Sequence, residues 1–432
     1  MSHPHATLAE LFKAEYGRLL GRLLRQFGFA AFAAAEDAVQ QAMLQALRHW
    51  PLQGLPQQPL AWLHTTAQRV MLDQLRAAPR HQALPETLNE VIEARDAACS
   101  GERFGRELVD EELILLLAVC DPALPLGSQV PLALHCLGGL GLRELAAGML
   151  IPEATLAQRL KRARDSLAAR AQRFELPGPE QLPQRMTAVL AALYLMFNEG
   201  YHSADGQHYS RREWCFEAIR LVRALAAHPT AAAPEVDALA ALMCLHAARL
   251  SGRLDADGQA LLLPEQSRDR WDQGLIAMGF RHLDRAGRGT RLSRYHLEAA
   301  IAAAHASAKD YAATDWAAIL RWYEALIALD AQAVPRLAHA IALGEVHGPA
   351  AGLAAVEQVL PQLPQTRYPF GHCARAHFLR RLQRPAEAIE AYRKALSATR
   401  SEAEARLIER QIAATAAQAC DAAATTKVET RA

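Results

Sequence analysis

Aromatic residues are scarce in this 432-residue sequence, at 6%. It has no run of about 18 apolar residues, so no membrane-spanning helix is expected. The net charge is only +1, so no global field marks a nucleic-acid or membrane binder, and charge has to be read locally. The seven cysteines (Cys99, Cys120, Cys136, Cys215, Cys244, Cys373, Cys420) are odd in number and contain no Cys-x-x-Cys pair. That excludes a disulfide scaffold or zinc ribbon and reads as a reduced, cytoplasmic protein. His202, His208, His246, His296 and His305 have no coherent metal spacing, so no metal site is expected. Gly-x-Ser-x-Gly, phosphate-loop and His-Glu-x-x-His motifs are all missing, so neither catalysis nor a cofactor is expected of this chain. Residues Met1 to Glu10 lack a basic segment followed by an apolar core, so no signal peptide is expected.

What is present is helical. Half of the chain is apolar, and alanine with scattered Leu, Glu and Arg favours helices over strands. Leu8, Phe12, Tyr16, Leu19, Leu23 and Phe27 recur at three and four. A second helix is expected from about Ala34 to Trp50, with Val39, Met43, Leu47 and Trp50 inward. Pro51 to Pro59 reads as a loop by its prolines and Gly54. Pro59 suits the first turn of a third helix that ends near Arg76. The chain then turns polar and aperiodic to about Arg106, which reads as a linker. A second helical block runs to Phe174 and is broken by Pro177-Gly178-Pro179. The expected fold is all-α. Its segments are 1–76, a linker at 77–106, 107–176, a helical extension at 184–300, repeats at 301–420 and a tail at 421–432.

The repeat has a period near 34. Ala318-Ile319 precedes Trp322, Ala325 and Leu326. Gly352-Leu353 precedes Val356, Val359 and Leu360, and Ala388-Ile389 precedes Tyr392, Ala395 and Leu396. Two copies also begin with a proline, Pro349 and Pro385. Small residues where helices cross, at this period, are the tetratricopeptide pattern. Ala218-Ile219, Val222 and Leu225 form a fainter copy. The alternative is coincidence in an alanine-rich chain.

Three polar clusters interrupt the apolar stripes. Glu36, Asp37, Gln40 and Gln41 lie near the start of the second helix, where acids simply suit the helix dipole or form a docking surface. On the third helix Leu60, Leu63, Ala67, Val70, Met71 and Leu75 form the buried stripe, and Trp62, Gln68, Arg69 and Arg76 lie off it. An exposed indole among guanidinium groups suits unstacked bases, and the loop from Gln53 to Gln58 could enclose a flipped base. The plain alternative is a core tryptophan beside a solvated face. Between Glu153 and Arg173 six basic residues stand against two acidic ones. There Leu156, Leu160, Ala163 and Leu167 face inward, and Ala154, Thr155, Gln158, Arg159 and Arg162 occupy another face. Such a helix end can enter the major groove, where arginine reads guanine and glutamine reads adenine. Lys161, Arg164 and Arg170 fit phosphate or solvent. The plain alternative is a charged helix in a bundle.

Ala35-Glu36-Asp37-Ala38-Val39-Gln40-Gln41-Ala42-Met43, followed by Pro59-Leu60-Ala61-Trp62-Leu63 and Thr66 to Arg76, resembles the conserved second region of extracytoplasmic-function RNA polymerase sigma factors. Arg69 departs from the asparagine common in relatives. Leu142 to Ala147, Met149 to Pro152 and Glu153 to Arg164 resemble the helix-turn-helix of the fourth sigma region. Ala192 to Tyr201 resembles a signature of the subgroup with a tetratricopeptide-like C-terminal extension. Asp121-Pro122-Ala123-Leu124 fits too, with Asp121 where relatives have histidine. The resemblance covers nearly the whole chain and is densest before Phe174.

The resemblance implies core RNA polymerase and promoter DNA as partners. Asp37, Gln40 and Gln41 would dock on polymerase. Gln53, Trp62, Arg69 and Arg76 would serve the −10 element, and Ala154, Thr155, Gln158, Arg159, Lys161 and Arg162 the −35 element. Asn198, Glu199 and Tyr201 carry the extension signature, and they read either as a polar pocket or, preferred, as a helix C-terminal turn with Gly200 left-handed. The C-terminal repeats would bind a regulatory protein. Two rivals remain: a helix-turn-helix regulator with a peptide-binding repeat domain that acts without polymerase, and a pure interaction scaffold.

Overall fold

The computed structural model describes residues 4–77, 112–139, 141–149, 151–170, 180–201, 212–228, 231–330, 332–363, 368–399 and 402–429. The expected linker at 77–106 and the Pro177-Gly178-Pro179 break lie almost entirely outside them. The fold is all-α, as expected. Among the described residues the sole strand-like feature is an isolated bridge between Leu254 and Ala260. No helix there is long and apolar enough to cross a membrane.

The chain divides into two compact units: Met1–Phe197 with Ala227–Ala231, and Asn198–Ala226 with Ala232–Ala432. In the first, α1 (Pro4–Phe27), α2 (Phe32–Gln53) and α3 (Pro59–Ala77) pack together. The buried face of α2 is a stripe of small residues, Ala35, Ala38, Ala42 and Ala46, with Val39 and Trp50. Small side chains let α2 lie close to Leu19, Leu20, Leu23 and Leu24 of α1 and to Leu63, Ala67 and Met71 of α3. Met43 and Leu47, expected inward, are only half-buried. The expected loop at Pro51 is also corrected, because α2 continues through Pro51 to Gln53. In a last turn proline costs only the hydrogen bond to the carbonyl four residues earlier. Gly54 ends the helix at φ 85°, its N–H donating to the Trp50 carbonyl at 2.9 Å.

The same unit holds α4 (residues 112–119), α5 (Leu126–Gly138), α6 (Leu142–Gly148), α7 (Glu153–Arg170) and α8 (Leu182–Tyr201). Helices α6 and α7 are joined by residues 149–152, and Leu156, Leu160, Ala163 and Leu167 of α7 are buried. These helices rest directly on the first block. A Cβ at Gly17 of α1 would lie 2.7 Å from the Leu137 carbonyl oxygen, so glycine sets how closely α1 and α5 approach. Arg185 of α8 donates to the Leu117 carbonyl at 2.7 Å and to Asp121 at 2.9 Å.

The second unit runs through α9 (Arg212–Ala227), α10 (Pro234–Ala247), α11 (Gln273–Ala286) and α12 (Arg294–Ser307). It continues with α13 (Trp316–Leu329), α14 (Ala333–His347), α15 (Pro349–Val359), α16 (Phe370–Arg381), α17 (Pro385–Ala398) and α18 (Glu402–Glu429). From α12 onward each helix packs on the next. The three repeat copies fall on α13, α15 and α17. Ala318, Ile319, Gly352, Leu353, Val356, Ala388, Tyr392 and Ala395 are buried, whereas Ala325 of the first copy is exposed. Phe378 fills the crossing where Gly344 and Gly352 bring α14 and α15 together. Helix α18 extends past residue 420, where a tail was expected.

Candidate polymerase and nucleic-acid interface

Along α2 the side chains turn by about 100° per residue, and the structure separates the acidic cluster accordingly. Asp37, Gln40 and Gln41 are exposed. Glu36 is not part of that surface, which corrects the four-residue cluster read from sequence. Its carboxylate accepts from the Tyr16 hydroxyl at 3.3 Å and meets His135 Nε2 at 2.8 Å. Arg164 Nη1 lies 3.6 Å from its other oxygen, and the Arg164 guanidinium sits 4.5 Å over the Phe32 ring. Burial alone would raise the Glu36 pKa. Hydrogen bonding to and the charge of His135, with Arg164 and Tyr16, outweigh it and hold the carboxyl below its ordinary value. Arg164, expected at phosphate or solvent, is therefore a tie between α7 and the first block. Arg18 makes a second tie, at 2.8 Å to Glu15 and 3.4 Å to Glu112. Sequence reading missed this cluster because its members lie about a hundred residues apart and share no periodicity.

On α3, Trp62, Arg69 and Arg76 are spaced by seven, which places them on one stripe at intervals of about 10 Å. Arg69 and Arg76 are exposed, and Arg76 makes a loose pair with Asp73 at 3.7 Å. Trp62 is half-buried and meets Trp50 in a T-shaped contact at 5.4 Å, so the indole is partly committed to packing rather than fully exposed as expected. Gln68 is buried, a correction: it points into the bundle rather than off the stripe. Gln53 lies exposed at the end of α2 beside the exposed Leu52 and Leu55.

Ala154, Thr155, Gln158, Arg159, Lys161 and Arg162 are all exposed on α7. The turn before α7 is fixed by the Ile151 N–H donating to the Ala146 carbonyl at 3.1 Å. Leu156, Leu160, Ala163 and Leu167 are buried on the opposite side, which leaves the face from Ala154 to Arg162 at the surface.

In the second unit, Asn198 and Glu199 are half-buried and Tyr201 is buried. The Tyr201 carbonyl accepts from Arg253 at 2.7 Å, the same guanidinium lies 4.0 Å over the tyrosine ring, and His246 meets that ring edge-on. Gly200 is inside α8 rather than a left-handed cap, because the helix continues through Tyr201. The signature thus seats a buried arginine. Among the described residues no group of His, Cys, Asp or Glu could hold a metal ion.

Residues 12–81 match sigma-70 region 2, and residues 185–287 match a family of unknown function, DUF6596. An uncharacterized protein of Rhizobium meliloti (strain 1021) is 36% identical over 394 residues, which is 91% of this chain and 92% of the relative. No solved structure matches the chain.

Proposed function

The chain belongs to one family with its Rhizobium meliloti relative and carries a sigma-70 region 2, and from that premise we propose a sigma factor of the extracytoplasmic-function type with a regulatory helical-repeat extension. A sigma factor directs transcription initiation and is itself non-catalytic. The carrying observation is the region 2 match over residues 12–81, within which α2 leaves Asp37, Gln40 and Gln41 exposed while its alanine stripe is buried. In this reading that flank docks on core RNA polymerase. The Trp62, Arg69 and Arg76 stripe with Gln53 engages the −10 strand, where each stacked base contributes about 1–3 kcal/mol. Helices α6 and α7 act as the helix-turn-helix. Ala154, Thr155, Gln158, Arg159 and Arg162 meet base edges of the −35 element and Lys161 meets phosphate. Two modest contacts joined on one enzyme give large avidity. Melting draws on captured bases and uses neither ATP nor a cofactor. The partners place the protein in the cytoplasm. The repeats from about residue 301 have the tetratricopeptide period and present a surface for a regulatory protein.

Run-off transcription with core polymerase tests this. Promoter-specific transcripts that require the chain are expected, with a gel shift that also requires core enzyme. Tight duplex binding without polymerase would favour the helix-turn-helix regulator. No effect in either assay would refute both.

A further inference from the structure

The second unit contains a cationic cluster that the sigma-factor reading does not use. Arg249 follows α10, Arg268 lies on the short 3₁₀ turn Arg268–Arg270, and Trp271 comes directly after it. The indole is buried and sits against Gly252, where a Cβ would lie 2.9 Å from it. The Arg268 guanidinium lies 4.0 Å over that ring and Arg249 lies 5.2 Å from it. His305 of α12 packs edge-on to Trp316 at 5.3 Å and lies near enough to feel the charge of both arginines.

What sets the cluster apart is its unmet hydrogen bonding. Nε, Nη1 and Nη2 of Arg268, Nε of Arg249, Nε1 of Trp271 and Nδ1 of His305 are all sealed from solvent and have no partner among the described residues. Buried guanidinium nitrogens are ordinarily hydrogen-bonded, so three without a protein partner leave donor capacity that the oxygens of an anion can meet. Two arginines on one ring also repel each other. Asp310 is near enough to attract Arg268, yet no ion pair forms within 4.0 Å, and its Oδ1 accepts from the Ala313 N–H at 2.8 Å. Burial and the two arginines push the His305 pKa down to about 3, so the imidazole is neutral and the arginines set the charge.

We propose that Arg249, Arg268, Trp271 and His305 form a binding site for a small phosphate-type dianion. Two guanidinium charges match a dianion better than a single carboxylate. Their planar forks and the indole N–H suit an anion that offers several oxygens. Occupancy requires the 268–270 turn to give way, since the nitrogens are sealed. That turn is closed by two local hydrogen bonds, Arg270 N–H to the Ser267 carbonyl and Trp271 N–H to the Arg268 carbonyl, and by the Ser251 hydroxyl donating to the Arg270 carbonyl, so opening it breaks one tie to the neighbouring segment. The site does not depend on the sigma-factor reading.

The test is calorimetric titration of the whole chain with inorganic phosphate, alongside adenosine monophosphate and acetate, with melting curves in parallel. Saturable phosphate binding and a phosphate-dependent rise in Tm are expected. Arg268→Gln and Arg249→Gln should each weaken binding at least about tenfold, the loss of one charge-assisted contact. Arg288→Gln, an exposed arginine paired with Asp284, should bind as the wild type does. Adenosine monophosphate binding as well would mean that phosphoryl esters fit, and phosphate alone would mean a site for the free ion. Arg268→Met keeps the packing on Trp271 and stands in if the glutamine variant does not fold. The proposal is overturned if neither phosphate nor adenosine monophosphate binds saturably, if acetate binds as tightly as phosphate, or if the folded Arg268 variants bind phosphate as tightly as wild type.

Discussion

Replacing Glu36 with alanine strips three partners at once: the Tyr16 hydroxyl, His135 Nε2 and the Arg164 guanidinium. The Glu36 side chain is 16% exposed and that of Arg164 27%, so the pair is neither fully desolvated nor freely solvated. A buried pair broken on one side costs about 3–5 kcal/mol, and partial exposure brings the expectation down to about 2–3 kcal/mol. That is a factor of roughly 30–150 in the ratio of docked to undocked α7. Spin labels at Gln40 and Lys161, both exposed, report the separation of the first block from α7. The wild type should give one narrow distance, and Glu36→Ala a broad distribution with a long component. Glu36→Gln keeps the shape and loses the charge, so it should fall between. The pH dependence follows from the depressed pKa of Glu36. A carboxyl held below its unfolded value contributes stability that is full above the ordinary carboxylate range and is lost as pH falls through the folded value. The docked wild type should therefore loosen on acidification, and Glu36→Gln should lack that step. A Glu36→Ala distance distribution identical to wild type would refute the claim that this cluster holds the two blocks together.

Asp37→Arg with Gln40→Ala should weaken association with core polymerase without unfolding the chain, and an unchanged pull-down by a folded double variant would count against the docking flank. Arg159→Ala should relax specificity at one or two upstream base pairs by about 1–3 kcal/mol. Lys161→Ala should weaken binding evenly and lower its salt dependence, and footprinting across promoter variants separates the two behaviours. Gly344→Ala improves helix propensity by about 1 kcal/mol. It also drives a methyl into the Phe378 ring and Gly352, so a net loss of about 1–2 kcal/mol is expected by urea denaturation. Deleting the chain from about Tyr368 removes Phe378, Leu379 and Tyr392 from a core shared with Leu337, Leu353 and Val356. Hydrogen exchange should then rise in α14 and α15 as well, and protection confined to wild-type levels there would argue against coupled repeats.

Periodicity made the helices legible. Leu156, Leu160, Ala163 and Leu167 recur at the helical interval and are buried together, and the exposed positions beside them follow from the same rotation. Breakers were legible less well. Pro51 reads as a loop and is helical, because a missing N–H matters little in a last turn, and Gly54 ends the helix instead. Gln68 reads as exposed and is buried, because polarity alone does not say which neighbours a side chain finds.

By itself the sequence determined the all-α class, the order of the helices, the apolar stripe of α7 and the repeat near 34, all properties of local spacing. Only the tertiary structure decided that Glu36 leaves the docking flank to join Tyr16, His135 and Arg164, that Phe378 fills the gap made by two glycines, and that Arg249 and Arg268 share one indole. These are meetings between residues on different helices. Their geometry is set by how closely small side chains let the helices approach, and spacing along the chain does not encode that.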